Sequence, residues 1–322
     1  MIIDDIIQVI KKEKKFFVVS HANPEGDALG ASLAIAKLIR LFKKEVMVIN
    51  EDAVSQEYKF LPGSSKITSI KKNYNFDVVI VVDCSDIDRV GKIKENIKDR
   101  FIINIDHHVG NSNFGDINWV NPGYAATCEM IYDIFEYAKI KIDRATALNL
   151  YTGIMTDSGS FRYPNTTSRT HEIIAHLLKW RLPVNKIYQI IYESFPYSDV
   201  KLFPYILMTL KRSSDGKIAW VSIKRDILQR KRTSFDLTET VLNFVRSIKG
   251  VEVSIVFREK SSPGLIRVNF RSRGRIDVNK IASSFSGGGH KTASGATIQG
   301  ALSDVERLVL EKIQKSYYKK NK

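Results

Sequence analysis

The stretch Ile105-Asp106-His107-His108 closes the apolar run Phe101–Ile105 and puts three metal- or phosphate-capable groups at the end of a predicted strand. Alone, an Asp-His-His tripeptide would serve equally well as a hydrogen-bonded turn around a satisfied histidine. Three further stretches deliver ligand-type residues in comparable settings. Phe16-Phe17-Val18-Val19-Ser20 runs into a loop holding His21, Glu25 and Asp27; Phe76–Val82 ends at Asp83; a helix over Ala145–Thr156 ends at Asp157. The candidate ligands are therefore His21, Glu25, Asp27, Asp83, Asp106, His107, His108 and Asp157. Nitrogen plus several carboxylates, without thiolates, suits Mn²⁺ or a similar divalent ion better than a structural zinc. So many carboxylates also suit two ions that share a bridging ligand and clamp the oxygens of a phosphoryl group. Asp83, alone at its strand end, is the natural bridge. Glu25 and Asp27, two residues apart in a loop, can reach different ions.

The elements that must position these residues follow from the hydrophobic pattern. Short apolar strands at Phe16–Ser20, Val46–Asn50, Phe76–Val82 and Phe101–Ile105 alternate with helical segments, which is the pattern of a doubly wound, mostly parallel sheet in the α/β class. Ligands of such sheets bind beyond the carboxyl ends of the strands. Asn111–Ala126 reads as irregular and polar. Helices are expected over Cys128–Ala138, Ala145–Thr156, 169–180 and 184–194. Ser213-Ser214-Asp215-Gly216 is a turn signal, after which strands at Ile218–Ile223, Val251–Arg258 and Leu265–Arg271 begin a second set. The expected organisation is a catalytic domain over 1–194, a linker over 195–215 and a smaller α/β domain over 216–322.

The second domain has a chemistry of its own. Gly287, Gly288 and Gly289 would expose consecutive backbone N–H groups, and His290 and Lys291 would add donors, a cradle of phosphate or carboxylate size. A flexible turn is the plainer alternative. Upstream, Arg267, Arg271 and Arg273 share a face by the period of two if the strand runs that far. Arg273 and Arg275 are read as solvated. Lys224-Arg225 and Arg230-Lys231-Arg232 could track a nucleic-acid backbone or simply be a charged loop. Cys84, next to Asp83 on a strand, should face away from it into the core.

Composition narrows the classes. Among 322 residues, 50 Lys plus Arg face 35 Asp plus Glu, a formal net charge of +15 that attracts polyanions. A lysine-rich surface that serves only solubility is the alternative. Two cysteines make neither a disulfide framework nor a thiolate metal site and fit a reducing cytoplasm. No apolar run reaches transmembrane length, and the N-terminal residues carry no secretory pattern, so no membrane partner is expected.

With these motifs in order, the chain resembles the DHH–DHHA1 phosphoesterases. The first motif of that family, His-x-x-x-Asp-x-Asp-x-x-Gly-Ser, corresponds to His21 through Ser32, with Glu25 at the first Asp position and Gly30-Ala31 near its end. The second is Asp83 in Val81-Val82-Asp83-Cys84-Ser85-Asp86. The third is Asp106-His107-His108 with Asn111, and the fourth is Gly153 to Phe161 around Asp157. Gly287-Gly288-Gly289-His290-Lys291-Thr292-Ala293-Ser294-Gly295 resembles the DHHA1 signature. The resemblance implies that His21, Glu25 and Asp83 hold one Mn²⁺ and that Asp27, Asp83, His107 and Asp157 hold a second. It further implies that His108 faces the scissile phosphate, that Asp106 supports the histidines, and that Arg271, Gly287, Gly288, Gly289 and His290 grip a substrate phosphate. Glu25 departs from the pattern by one methylene.

The implied activity is that of the oligoribonuclease/pAp-phosphatase branch: hydrolysis of short RNA to nucleoside 5′-monophosphates and removal of the 3′-phosphate of pAp. Within the enzyme class, a linear or cyclic dinucleotide phosphodiesterase and a RecJ-like exonuclease on single-stranded DNA are the alternatives. A nucleic-acid-binding protein with weak catalysis is the alternative of a different class. The resemblance also implies a homodimer.

Overall fold

The computed structural model describes residues 2–69, 75–229 and 237–319. They fall into two compact units, Met1–Ser194 and Phe195–Lys322. Arg230-Lys231-Arg232 lies outside the described residues. No helix among the described residues is long and apolar enough to cross a membrane.

In the first unit the chain runs α1 (Ile2–Lys12), β1 (Lys15–Val19), α2 (Gly26–Leu41), β2 (Glu45–Ile49), β3 (Val78–Val82), α3 (Lys94–Ile97), β4 (Phe101–Asp106), β5 (Ile117–Val120), α4 (Thr127–Tyr137), α5 (Arg144–Asp157), α6 (Ser168–Leu178) and α7 (Val184–Tyr192). The five strands form one sheet in the order β2-β1-β3-β4-β5, parallel throughout. Burial on both faces favours apolar residues throughout, and β3 is apolar at every position while β1 departs only at Lys15. Phe16 and Val18 of β1, with Val78, Ile80 and Val82 of β3, join the core under α2, α4 and α5. The alternate residues Phe17, Val19, Val79 and Val81 join the core on the opposite face, with Val90, Ile93 and Ile97.

The sheet order fixes where chemistry can sit. The chain leaves β1 for β2 on one side and returns to β3 on the other, so the order reverses between β1 and β3. In open α/β sheets of this order that crevice is the ligand site. His21 follows β1, and Asp83 follows β3. The stretch expected to be irregular contains β5, paired in register with β4 from Ile103↔Ile117 to Asp106↔Val120. Its sequence, Ile117-Asn118-Trp119-Val120, admits a polar residue at Asn118 because β5 is an edge strand and mostly half-buried.

The second unit holds α8 (Tyr197–Val200), α9 (Phe203–Leu207), β6 (Lys211–Arg212), β7 (Ile218–Ile223), α10 (Arg225–Gln229), α11 (Thr238–Ser247), β8 (Val253–Glu259), β9 (Leu265–Ser272), α12 (Val278–Ser283), β10 (Gly288–Gly289), β11 (Ala293–Gln299) and α13 (Leu302–Lys319). Its sheet is mixed, in the order β10-β11-β9-β8-β7-β6, with only β7 and β8 parallel. Within residues 195–215, Leu202 and Ile206 are buried in a core with Val221, Val241 and Val245. This segment therefore packs as part of the second unit's core.

Candidate metal centre

Asp27 sits in the first turn of α2 and is buried. Its Oδ2 accepts the Thr127 N–H at 2.6 Å and its Oδ1 accepts the Cys128 N–H at 2.9 Å. These are the first two residues of α4, where N–H groups lack helical partners and the helix dipole favours negative charge. So close an approach needs bare backbone. A Cβ on Gly30 would lie 2.5 Å from the Asn149 carbonyl oxygen, and one on Gly153 would lie 2.3 Å from Cys128 Sγ and 2.9 Å from Asp27 Oδ1. The glycines thus let α2 and α5 close on each other and bring Asp27 and Asp157 to one place.

Asp83 ends β3 in a left-handed conformation, φ +54°, which a non-glycine residue adopts rarely and mostly at functional sites. Its N–H donates to the Ile105 carbonyl at 3.0 Å. Its Oδ1 accepts the Thr127 hydroxyl at 3.2 Å, and its Oδ2 lies 3.6 Å from His21 Nε2.

His107 is fixed by its surroundings. Nδ1 lies 3.1 Å from the Tyr124 carbonyl, an obligate acceptor, so Nδ1 carries a proton and Nε2 holds the lone pair whenever the ring is neutral. Nε2 then lies 3.2 Å from Asp157 Oδ2, 3.6 Å from Asp83 Oδ1 and 3.8 Å from Asp27 Oδ2. His108 turns its Nδ1 to Asp106 Oδ1 at 2.7 Å. The other oxygen of Asp106 accepts from Asn111 Nδ2 at 2.6 Å, and Asn104, fully buried, takes a further bond from Asn111 at 2.8 Å. Asp106 is thereby immobilised on both oxygens.

Crowding sets the charge states. Burial, and then Asp83, pushes the Asp27 carboxyl up to about 6. Burial opposes charge on His107, yet Asp157, Asp27 and Asp83 together raise it to about 9. Burial likewise opposes charge on Asp83, but the hydrogen bond from His21 and the neighbouring imidazoles hold it below the usual carboxylate range. Asp157 is raised by burial and by the charges of Asp27, Asp83 and Glu25.

Donor atoms of Asp27, Asp83 and His107 come within 4.8 Å of one another, as do those of Asp83, Asp106 and His108. Asp83 is common to both groups. Oxygen and imidazole donors without thiolate, carboxylates forced together in a buried place, and a histidine lone pair aimed among them fit a divalent cation. Glu25 stands at the N-cap of α2, exposed, and its carboxylate is in neither group, although Asp157 feels its charge. His21 is tied to Asp83 and, through Nδ1, to the Ala22 carbonyl at 2.8 Å. Cys84 is fully buried in the opposite core, and burial raises its thiol to about 12.

The residues expected to grip phosphate all lie in the second unit. Arg271 is on the same face of β9 as Arg267, opposite the buried Ile266, Val268 and Phe270. Its guanidinium pairs with Glu239 through Nε at 3.1 Å and through a second N–H, and a third donor meets the Phe270 carbonyl. The glycine run is more ordered than an open cradle. Gly288 and Gly289 form β10, paired with Gly295 and Ser294. The Gly287 N–H goes to the Ala282 carbonyl and the His290 N–H to that of Ala293, which closes a hairpin. Arg273, expected to be solvated, donates to the carbonyls of Val251 and Arg246 at 2.9 Å each.

Thr127 was not singled out in the sequence, although its main chain and hydroxyl hold both Asp27 and Asp83. Its only signal is a small polar residue at the start of a helix. The Tyr124 carbonyl that orients His107 has no side-chain signal at all.

The sequence model of the DHH family, N-terminal domain, matches residues 15–154, and that of the DHHA1 domain matches residues 216–317. The chain is 30% identical over 320 residues to the bifunctional oligoribonuclease and PAP phosphatase NrnA of Mycoplasma genitalium, covering 97% of this chain and 98% of that one. It is 27% identical over 312 residues to the protein of the same name from Thermus thermophilus, covering 96% and 92%. The crystal structure of an exopolyphosphatase-related protein from Bacteroides fragilis shares its fold with a TM-score of 0.87 at 28% identity, covering 97% and 96%.

Proposed function

The chain belongs to the DHH family and carries a DHHA1 domain, and from that premise we propose a Mn²⁺-dependent phosphoesterase that cuts short oligoribonucleotides and removes the 3′-phosphate of pAp. The observation that carries this reading is the convergence of Asp27, Asp83 and Asp157 on His107 Nε2, all within 3.8 Å. The relatives' names supply the substrates: nucleoside 5′-monophosphates would leave from short RNA, and AMP plus phosphate from pAp. The two buried free thiols, Cys84 and Cys128, suit a reducing compartment such as the cytoplasm.

His21, Glu25 and Asp83 would hold one ion; Asp27, Asp83, His107 and Asp157 would hold the other, with Asp83 shared. The chemistry such ions supply when bound is polarisation of the phosphoryl oxygens and activation of water. Every other contribution belongs to the residues of the chain itself. Thr127 and the N-terminus of α4 fix the Asp27 and Asp83 carboxylates before anything binds, so no reorganisation is needed later. Asp106 holds His108 through Nδ1, which leaves Nε2 as the working atom. Nε2 would face a non-bridging oxygen of the scissile phosphate, where negative charge grows as water attacks. Arg271, His290 and the main chain of Gly287, Gly288 and Gly289 would bind a terminal phosphate, the guanidinium by its planar fork.

The test is a labelled RNA dinucleotide with the purified chain in Mn²⁺. Hydrolysis should require the metal, and Asp83→Ala should lower kcat by at least about 100-fold, since loss even of a ligand's supporting partner costs about 10–100-fold. Binding of RNA without turnover in either Mn²⁺ or Co²⁺ would leave a binding protein instead.

A further inference from the structure

The geometry points to Arg89 as a phosphate-binding residue of this site, donating to a non-bridging oxygen of the substrate phosphate on the His21 side. The inference rests on the phosphoesterase reading and adds a substrate contact to it. Arg89 lies in a 3₁₀ segment, Ile87–Ile93, six residues after Asp83. Its main-chain carbonyl accepts the Ala22 N–H at 2.7 Å, so the turn after β3 is laced to the loop that carries His21. The guanidinium itself reaches back to Ser85, two residues after Asp83.

The guanidinium is held, but by a neutral partner. One N–H donates to Ser85 Oγ at 3.2 Å. Ser85 is itself anchored, its carbonyl accepting from the Ser112 N–H at 2.9 Å. The surrounding carboxylates are committed elsewhere. Asp86 caps the turn by accepting the Asp88 N–H at 2.9 Å, Asp88 pairs with Lys94, Glu51 accepts the Lys92 N–H, and Asp52 accepts the Asn23 N–H at 2.8 Å. Among the described residues, no carboxylate pairs with Arg89, although it is half-buried. Among the described residues its guanidinium bonds to Ser85, and the turn that carries it is bonded to the loop of His21. Such a fork matches two oxygens of one phosphate and offsets the charge that develops there.

The test compares wild type, Arg89→Gln, Arg89→Lys and Ser85→Ala as Mn²⁺-loaded full-length protein. Three quantities are read: kcat and KM for the RNA dinucleotide and for pAp, bound Mn²⁺ per chain, and calorimetric binding of inorganic phosphate. Arg89→Gln should lower kcat/KM for both substrates by about 10- to 100-fold, in the range seen when a preorganised donor to phosphate is lost. It should weaken phosphate binding and leave the Mn²⁺ content unchanged. Arg89→Lys should recover only part, because a point charge lacks the fork, and Ser85→Ala should raise KM more than it lowers kcat. The inference is overturned if Arg89→Gln keeps kcat/KM and phosphate binding within about twofold of wild type, or if it loses Mn²⁺ along with activity. Absence of turnover in wild type would instead overturn the phosphoesterase reading. The phosphate calorimetry judges Arg89 independently of turnover.

Discussion

His107 shows how one residue's surroundings dictate both its role and its pH behaviour. The Tyr124 carbonyl fixes the tautomer, and three carboxylates raise the ring from its ordinary 6.5 to about 9. In the metal-free protein this charged ring stabilises the fold. That contribution is complete below pH 6.5 and is lost as pH rises through 9, because the folded state then binds a proton that the unfolded state has already released. A cation on Nε2 needs the neutral ring, so metal binding and protonation compete. The expected outcome is that Tm of the metal-free protein declines between pH 6.5 and 9 while the increase in Tm on adding Mn²⁺ grows over the same interval. Thermal melts of wild type and His107→Gln measure this, and a Mn²⁺ shift independent of pH would refute it. The histidine pair and the aspartates were legible in the sequence, since ligand-type side chains directly followed apolar runs. Thr127 and Tyr124 were not, because they act largely through main-chain atoms, which every residue possesses.

At the scale of elements, the glycines of the two units do different work. Gly153 stands where α5 meets Asp27 and Cys128, and a methyl group there would overlap Cys128 Sγ. Gly287 and Gly289 are likewise demanded by packing, their Cβ atoms falling 2.3 Å from the Gly295 carbonyl oxygen and 2.5 Å from that of Ala293. Gly288 is exposed, and a Cβ there meets nothing within 4 Å. Chemical denaturation should therefore show Gly153→Ala less stable by about 1–3 kcal/mol and Gly288→Ala within about 0.5 kcal/mol of wild type. If the main chain at Gly288 approaches a substrate phosphate, Gly288→Ala should still raise KM for pAp. A stable Gly153→Ala protein would show that α2 and α5 can separate without cost. The parallel strands were readable because burial on both faces fills them with runs of apolar residues, Phe16–Val19 in β1 and Val78–Val82 in β3. The edge strand β5 was not, since an edge admits Asn118 and half-exposure. The glycine run read as an open loop because three glycines carry no strand pattern, yet β11 supplies the pairing that makes them one.

The molecule as a whole carries a formal charge of +15, which favours anionic substrates of any length and so cannot by itself select short ones. The metal-type residues belong to the first unit, and Arg271, the glycine hairpin and His290 to the second. The proposed activity is on pAp and short oligoribonucleotides in preference to long strands. The most direct test of that claim is kcat/KM at one Mn²⁺ concentration for pAp, an RNA dinucleotide, an RNA pentamer and a long single strand. The account predicts the highest values for pAp and the dinucleotide and a decline with length; a value that rises with length, or no hydrolysis of any of the four, would contradict it.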